Sequence, residues 1–189
     1  MYYFKSFIFL SLIMSLTIGC QSNAKRIEEV LRDFTSHPIV MCTKDCVTFC
    51  SDSTYNPQTI NYAILKYVCY IDSSECSPCI LKNAYKWNDY ISMFKKYGND
   101  ISFLYVISSK NYREIISQAR ESGFCQAIYI DTLGVFAKRN SHIPKESMYH
   151  VFLLDNENHI ILVGNPLTNK TIENHFMKIV TKRLEMTSI

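Results

Sequence analysis

The chain has 189 residues, with 20 lysines and arginines against 17 acidic residues and a formal net charge of +3. This balance leaves no concentrated basic face, and no nucleic-acid-binding motif occurs, so we expect no nucleic acid partner. Five glycines and five prolines are too few for a disordered or linker-rich protein, and the sequence contains no internal repeat. We therefore expect a compactly folded chain.

The first twenty residues, MYYFKSFIFLSLIMSLTIGC, have the layout of a signal peptide, with one lysine, an apolar stretch over 7–14 and small or apolar residues up to Cys20. The stretch is shorter than the ~20 residues that a membrane-spanning helix needs. The motif TIGC resembles the lipobox of bacterial lipoproteins, which implies removal of residues 1–19 and lipidation of Cys20. The alternative is ordinary secretion, with Cys20 lost or unused. The lipobox reading places the protein in the bacterial cell envelope, lipid-anchored to a membrane and facing the periplasm or exterior.

Residues 20–60 are interpreted as an anchor, a short helix and a cysteine-rich hairpin, and residues 61–189 as the main domain. Apolar residues recur at helical spacing over 24–34 and predict the short helix. The segment PIVMCTKDCVTFCS, 38–51, favours two short strands around a polar turn at 43–45. The third strand of the chain is then predicted over 63–72, where β-branched and aromatic residues dominate.

A long helix is predicted over 77–97, closed by Gly98. Further strands are predicted at 101–109 and 126–131, with helices at 111–123 and through Phe136. The chain ends with a β-hairpin, whose arms 149–155 and 159–164 flank the turn NEN, and a helix over 168–184. This alternation predicts an α/β fold, with a mixed, mostly parallel central sheet flanked by helices and an antiparallel edge.

Cysteine is the unusual component of this sequence. The eight cysteines are Cys20, Cys42, Cys46, Cys50, Cys69, Cys76, Cys79 and Cys125. Lipidation of Cys20 would leave seven, and an odd number cannot all pair within one molecule in an oxidising compartment. A purely structural set of disulfides therefore cannot account for all of them.

Cys76 and Cys79 form a CxxC motif where the strand at 63–72 gives way to the long helix. Unpaired backbone N–H groups and the positive end of the helix dipole would stabilise a thiolate at Cys76 and lower its pKa. Cys79, expected on the same side and more buried, would resolve the mixed disulfide. Pro78 would stiffen the first turn. We predict Cys76 and Cys79 as the catalytic pair, and a structural disulfide between them is the alternative.

The stretches YIDSSECSPCILKNAYKWNDY, 70–90, and HVFLLDNENHIILVGNP, 150–166, resemble the TlpA, ResA and peroxiredoxin branch of thioredoxin-like proteins. The resemblance covers roughly residues 60–185. It implies a thioredoxin-like fold, here with an N-terminal β-hairpin extension. It also implies a membrane-anchored thiol–disulfide oxidoreductase that exchanges disulfides with extracytoplasmic protein thiols through the CxxC pair, with no cofactor. The Pro-x-x-x-Thr-x-x-Cys motif of peroxiredoxins is absent, which disfavours a peroxidase.

The sequence departs from this family at two positions. Many relatives carry a cis-proline just before the hairpin strand, and the matching position, near Tyr149, has no proline, while Pro144 lies five residues earlier. Glu75 precedes Cys76, and a carboxylate so close would oppose thiolate formation. These departures motivate a second hypothesis, a redox-inactive binding lipoprotein that keeps the fold without turnover.

The segment CTKDCVTFC, 42–50, supports a third hypothesis, a thiolate carrier of Cu(I) or Zn(II). The β-rich sequence favours a hairpin in which Cys42 and Cys50 face each other across the turn. The alternative is disulfides among Cys42, Cys46, Cys50, Cys69 and Cys125, of which the last two also suit small core positions. Asp72 is interpreted either as a proton relay for Cys79 or as a turn residue. The histidines are scattered and predict no Cys–His arrangement.

Overall fold

A computed structural model describes residues 23–52 and 56–187. The chain divides into two compact units, one ending at Ser36 and the other beginning at His37. In the first unit, residues 23–35 form helix α1, which confirms the helix predicted there. The predicted signal peptide and Cys20 lie outside the described residues. None of the described helices is both long and apolar enough to cross a membrane.

The second unit is built on one six-stranded sheet. Its strands are β1 (Val47–Phe49), β2 (Leu65–Ile71), β3 (Ile101–Ser108), β4 (Ile128–Asp131), β5 (Val151–Leu154) and β6 (Ile160–Val163). They lie side by side in the order β1-β4-β3-β2-β5-β6. The three central strands are parallel, and the pairs β1–β4, β2–β5 and β5–β6 are antiparallel. The mixed sheet and the closing hairpin predicted from the sequence are confirmed.

In the described part of this unit, five α-helices accompany the sheet. They are α2 (Ser77–Leu81), α3 (Trp87–Phe94), α4 (Tyr112–Ser122), α5 (Val135–Arg139) and α6 (Lys170–Thr187). Capping residues determine where α4 begins and ends. The Asn111 side chain accepts a hydrogen bond from the backbone N–H of Glu114, and Gly123 closes the helix in the left-handed conformation.

The hairpin predicted over 38–51 does not form. Thr43–Asp45 is a single 3-10 turn, and only Val47–Phe49 is extended. This short strand pairs with β4, where Val47 lies opposite Ile130. The free backbone edge of β4 supplies a better partner than the preceding residues do, because it completes a sheet that is already buried. The cysteine-rich segment is thus part of the main sheet and not a separate extension.

The long helix predicted over 77–97 is broken into α2, a 3-10 turn at Ala84–Lys86, α3 and a 3-10 turn at Lys95–Tyr97. The break falls at Asn83, whose side chain donates a hydrogen bond to the Cys79 carbonyl at 3.3 Å. Such side-chain bonds to the backbone compete with helical hydrogen bonding. Gly98, with φ 61°, ends the segment as predicted. Only five residues of helix therefore follow Cys76 without interruption.

An aromatic cluster holds α3 and α6 against one face of the sheet. The rings of Tyr67 and Trp87 lie 4.4 Å apart between centroids, and Phe176 of α6 meets Tyr67 edge-on at 5.3 Å. Every residue of β2 is buried, since both faces of the central sheet are covered. The opposite face carries Tyr70, whose ring is 5.0 Å from Phe136 of α5. The end of β2, where the CxxC motif begins, is thereby fixed from both sides.

Candidate functional site

The loop after β2 is organised by Asp72. The Asp72 carboxylate accepts hydrogen bonds from the backbone N–H of Ser74 at 2.9 Å, the Ser74 hydroxyl at 2.8 Å and the Tyr70 hydroxyl at 3.1 Å. The Ser74 N–H bond is the largest cause of a lowered Asp72 pKa. Of the two interpretations of Asp72, the contacts support a turn residue that stays ionised, because each of these bonds stabilises the charged carboxylate.

Cys76 and Cys79 are joined by a disulfide, with the two Cα atoms 5.4 Å apart. Cys76 is the N-cap residue of α2, and Pro78 lies in the first turn, as the sequence predicted. Both cysteines are exposed, so the prediction that Cys79 would be the more buried one is wrong. The buried face of α2 is made by Ser77 and Leu81 instead. Those residues are four apart, and Cys79 falls between them on the outer side.

The short helix changes the electrostatics expected at Cys76. A helix of five residues aligns few peptide dipoles, so its field is weaker than that of the long helix predicted. The side chain of an N-cap residue normally accepts a hydrogen bond from the backbone N–H of the second or third helical residue. The second is Pro78, which has no N–H, and the third is Cys79. The Cys79 amide is therefore the helix donor best placed to stabilise a Cys76 thiolate after reduction.

Glu75 and His150 form a pair beside the CxxC motif that sequence reasoning missed. The Glu75 Oε2 atom is 2.8 Å from His150 Nδ1 and also accepts a hydrogen bond from the Asp72 N–H at 2.8 Å. His150 Nε2 is 2.8 Å from the carbonyl oxygen of Pro144. The side chains are 15% and 3% exposed, respectively. The pair thus joins the loop before Cys76 to the segment that leads into β5.

The hydrogen-bond partners of His150 determine how many protons the pair holds. A carbonyl oxygen can only accept, so Nε2 carries a proton toward Pro144. The contact between Nδ1 and Glu75 needs a second proton, which lies on the ring or on the carboxyl group. The Glu75 carboxyl group, which was expected to oppose thiolate formation, is in either case engaged by His150 and the backbone.

The residues at the position expected for a cis-proline form a 3-10 turn, Ser147–Tyr149, with Tyr149 buried. The described residues contain no cis peptide bond. Pro144 contributes its carbonyl to His150. The start of β5 meets the end of β2 through a hydrogen bond from the Tyr70 N–H to the His150 carbonyl at 2.8 Å. The register of these antiparallel strands is the signal that could have linked His150 to the CxxC loop.

A cleft of about 510 Å³ is lined by Glu75 and Ile80, the residues that flank the CxxC motif in sequence. Its floor includes Cys69, Trp87 and Tyr105, and its rim includes Glu75, Met148, His150 and Asn165. Cys69 is 5% exposed, as expected for a small core residue, and burial raises the pKa of its thiol. It therefore stays protonated near neutral pH. Met148 is 63% exposed and gives the rim an apolar contact surface.

The remaining cysteines of the described residues, Cys42, Cys46, Cys50 and Cys125, lie in two separate places and not in one cluster. The Cys46 Sγ atom is 3.2 Å from the Cys42 carbonyl, beside an ion pair of Asp45 and Arg139 at 3.3 Å. Cys50 lies instead next to Cys125. The prediction that Cys42 and Cys50 face each other is wrong. Within residues 23–52 and 56–187, no three His, Cys, Asp or Glu side chains are grouped for metal binding. The metal-carrier hypothesis thus lacks the convergent thiolates on which it depended.

No family model matches the sequence, and no curated protein matches it. The structure is similar to a candidate protein disulfide isomerase from Bacteroides thetaiotaomicron, at 14% identity over 78% of this chain and 92% of that chain, with a TM-score of 0.51. The fold is thioredoxin-like. A candidate thiol:disulfide interchange protein DsbE from Chlorobium tepidum gives 16% identity, coverage of 74% and 95%, and a TM-score of 0.49. A mutant of PrxQ from Xylella fastidiosa is 12% identical over 78% of this chain and 92% of that chain, with a TM-score of 0.48.

At these identities the similarity concerns the fold alone. The thioredoxin-like fold predicted from the sequence is confirmed. The roles of Cys76 and Cys79 stay predictions, because a disulfide at this position can be either catalytic or structural. What the geometry adds is their setting: an exposed pair at the end of the central strand, next to a cleft and to the buried Glu75–His150 contact.

Proposed function

We propose that the protein is a thiol–disulfide oxidoreductase that exchanges disulfides with the cysteines of extracytoplasmic proteins through Cys76 and Cys79. The observation that carries this proposal is the exposed disulfide directly after β2 of a thioredoxin-like sheet. A disulfide that encloses only two residues removes little entropy from the unfolded chain. Stabilisation of the fold is therefore a weak explanation for this disulfide. Its exposure, in contrast, would allow a partner thiol to reach it and exchange with it.

The proposed reduction of a partner disulfide has two steps. The Cys76 thiolate attacks one partner sulfur, so that a mixed disulfide forms and the other partner sulfur leaves as a thiolate. The Cys79 thiolate then attacks the Cys76 sulfur, which restores the Cys76–Cys79 bond and releases the second partner thiol. Two electrons pass to the partner, whose thiolates take up protons from water. The same steps in reverse oxidise a partner dithiol, and the relative potentials set the direction.

Cys76 is assigned the attacking role because of its position as N-cap of α2. A thiolate there would accept a hydrogen bond from the Cys79 amide, which favours the charged form. Glu75, the adjacent residue, directs its carboxylate to His150 and the Asp72 N–H. These contacts offset the repulsion that a free carboxylate would exert on the thiolate. Met148 and the cleft that Glu75 and Ile80 line offer a surface for an unfolded or extended partner segment.

We further propose that the protein acts in the bacterial cell envelope, held to a membrane by lipid on Cys20. Cells fed a labelled fatty acid should incorporate label into the wild-type chain, and Cys20→Ser should lose the label and leave the membrane fraction. Cys46→Ser is the matched control and should keep both properties. Equal labelling of the Cys20→Ser and wild-type chains would contradict the lipid anchor.

The experiment that tests the redox proposal is the reduction potential of the Cys76–Cys79 pair in the full-length protein. An exchange-active pair should be reduced reversibly within the range of thiol–disulfide oxidoreductases. The competing interpretation, a redox-inactive binding protein, is favoured by the missing proline at Tyr149 and predicts a pair that stays oxidised. The measurement separates the two, because only the first requires that the bond open under mild reduction.

A further inference from the structure

Cys50 and Cys125 lie at the end of the sheet opposite to the CxxC motif. Cys50 directly follows β1, and Cys125 lies three positions before Ile128, the first residue of β4. Because β2 and β4 are parallel within the sheet, the start of β4 and the end of β2 are at opposite ends. The two thiols are therefore remote from Cys76, and the proposed exchange reaction does not use them.

The strand register brings these two cysteines together. Phe49 pairs with Ile128 in the antiparallel β1–β4 ladder, so continuation of the ladder sets Cys50 diagonally across from Cys125. Diagonal neighbours in a regular ladder have Cα atoms about 7–8 Å apart, and disulfides need about 4.4–6.8 Å. Both residues lie just outside the paired strands, where the backbone is not held by ladder hydrogen bonds. A shift of about 1 Å is then enough to close the gap.

The side-chain contacts confirm the proximity. The Cys50 Sγ atom donates to the Cys125 carbonyl at 3.8 Å, and the adjacent Ser51 hydroxyl donates to the Phe124 carbonyl. The strand β1 and its following residues therefore lie along the segment 124–125. From the other side, Asn88 of α3 accepts the Cys125 N–H at 3.4 Å. These contacts keep the Cys50 thiol beside the backbone of Cys125.

We propose that Cys50 and Cys125 form a disulfide when the protein meets a small-molecule disulfide oxidant such as oxidised glutathione. One thiolate of the pair attacks the oxidant, forms a mixed disulfide and releases one glutathione thiolate. The second thiolate displaces the other glutathione, so the Cys50–Cys125 bond forms. The pair loses two electrons and two protons, and the oxidant becomes two thiols. Burial raises the pKa of both thiols, so the reaction is faster at alkaline pH.

The bond would attach β1 to the rest of the sheet. β1 has three residues and pairs only with β4, since it is the outermost strand. A strand so short has few hydrogen bonds to resist detachment. A disulfide between residues 50 and 125 closes a long loop, and long loops give the larger entropic destabilisation of the unfolded chain. The cysteine-rich segment would then stay on the sheet at temperatures where the ladder alone fails.

The test is disulfide mapping of the wild-type, full-length protein in detergent, after incubation with oxidised glutathione at pH 8.5 and alkylation of the remaining thiols. We expect a peptide pair linked through Cys50 and Cys125, and a midpoint of thermal unfolding higher by roughly 5–15 °C than in Cys50→Ser under the same conditions. Cys46→Ser, which removes a partly buried thiol, is the matched control and should keep the linked peptides and the higher midpoint. Cys125→Ser should lose both, as Cys50→Ser does.

Separate alkylation of Cys50 and Cys125 after oxidation would overturn the proposal, as would links from either residue to another cysteine. A Cys50–Cys125 link with an unchanged midpoint would overturn the stabilising role. The Cys76–Cys79 peptide is read separately in the same digest. The outcome for the pair at 50 and 125 is therefore independent of whether the CxxC motif is redox-active.

Discussion

The Cys79→Ser variant is expected to accumulate covalent complexes with its partners. Without the Cys79 thiolate, the mixed disulfide that Cys76 forms lacks its proposed resolving thiol, so the complex persists longer. Cys76→Ser should form few such complexes, because the N-cap nucleophile is gone. Both variants should lose turnover. Non-reducing electrophoresis of cell extracts, followed by identification of the linked cysteines, measures the effect.

A suitable control for this experiment is Cys46→Ser, which removes a partly buried thiol next to Cys42, outside the CxxC loop. Its complexes and turnover should match those of the wild type. Equal trapping by Cys76→Ser and Cys79→Ser would mean that either thiol can attack, which contradicts the assigned roles. Trapping by neither variant, with turnover unchanged, would remove the pair from the reaction altogether.

Glu75→Ala is expected to lower the free energy of unfolding by about 3 kcal/mol. The substitution leaves the buried His150 Nδ1 atom and the Asp72 N–H without the hydrogen-bond partner that Glu75 provides. A buried polar group that loses its hydrogen-bond partner lowers the free energy of unfolding far more than an exposed group does, because water cannot replace the partner. Urea unfolding of variant and wild type is followed by circular dichroism. If the m-value is unchanged, the difference in midpoint urea concentration gives the difference in the free energy of unfolding.

The matched control is Glu157→Ala, which removes a carboxylate that also faces a histidine, His159, but is 73% exposed. This variant should stay within about 0.5 kcal/mol of the wild type. The double variant of Glu75→Ala with His150→Ala should cost less than the sum of the single changes, because the two groups interact directly. A Glu75→Ala protein as stable as the Glu157→Ala protein would show that the buried contact does not hold the loop.

Local signals predicted much of this fold. Strand β2 is indicated by its own apolar run, and helix α4 is delimited by Asn111 and Gly123. Both elements lie where the sequence predicted them. The hairpin β5–β6 follows from two apolar arms around a polar turn, closed by Asn158 with φ 65°. In such elements the local preference and the tertiary packing agree, so pattern and structure coincide.

The sequence-based predictions were wrong or incomplete where contacts between residues distant in sequence determine the structure. β1 forms because β4, about 80 residues later in the chain, offers a free edge. The Glu75–His150 contact joins residues 75 positions apart, and neither side chain carries a local pattern that indicates the other. The break of the helix at Asn83 is a different case, since a single asparagine inside a helical pattern is a weak signal. Its side chain donates a hydrogen bond to the Cys79 carbonyl, and such bonds compete with the helical backbone pattern.

The central claim is that Cys76–Cys79 is a reversible redox disulfide, and its reduction potential tests this most directly. The full-length protein is equilibrated in buffers of reduced and oxidised glutathione or dithiothreitol, free thiols are alkylated, and the Cys76–Cys79 peptide is quantified apart from the other cysteines. We predict half-reduction between about −270 and −120 mV, the range of thiol–disulfide oxidoreductases. A pair that remains oxidised at about −300 mV would be a structural disulfide, and the proposed function would be wrong.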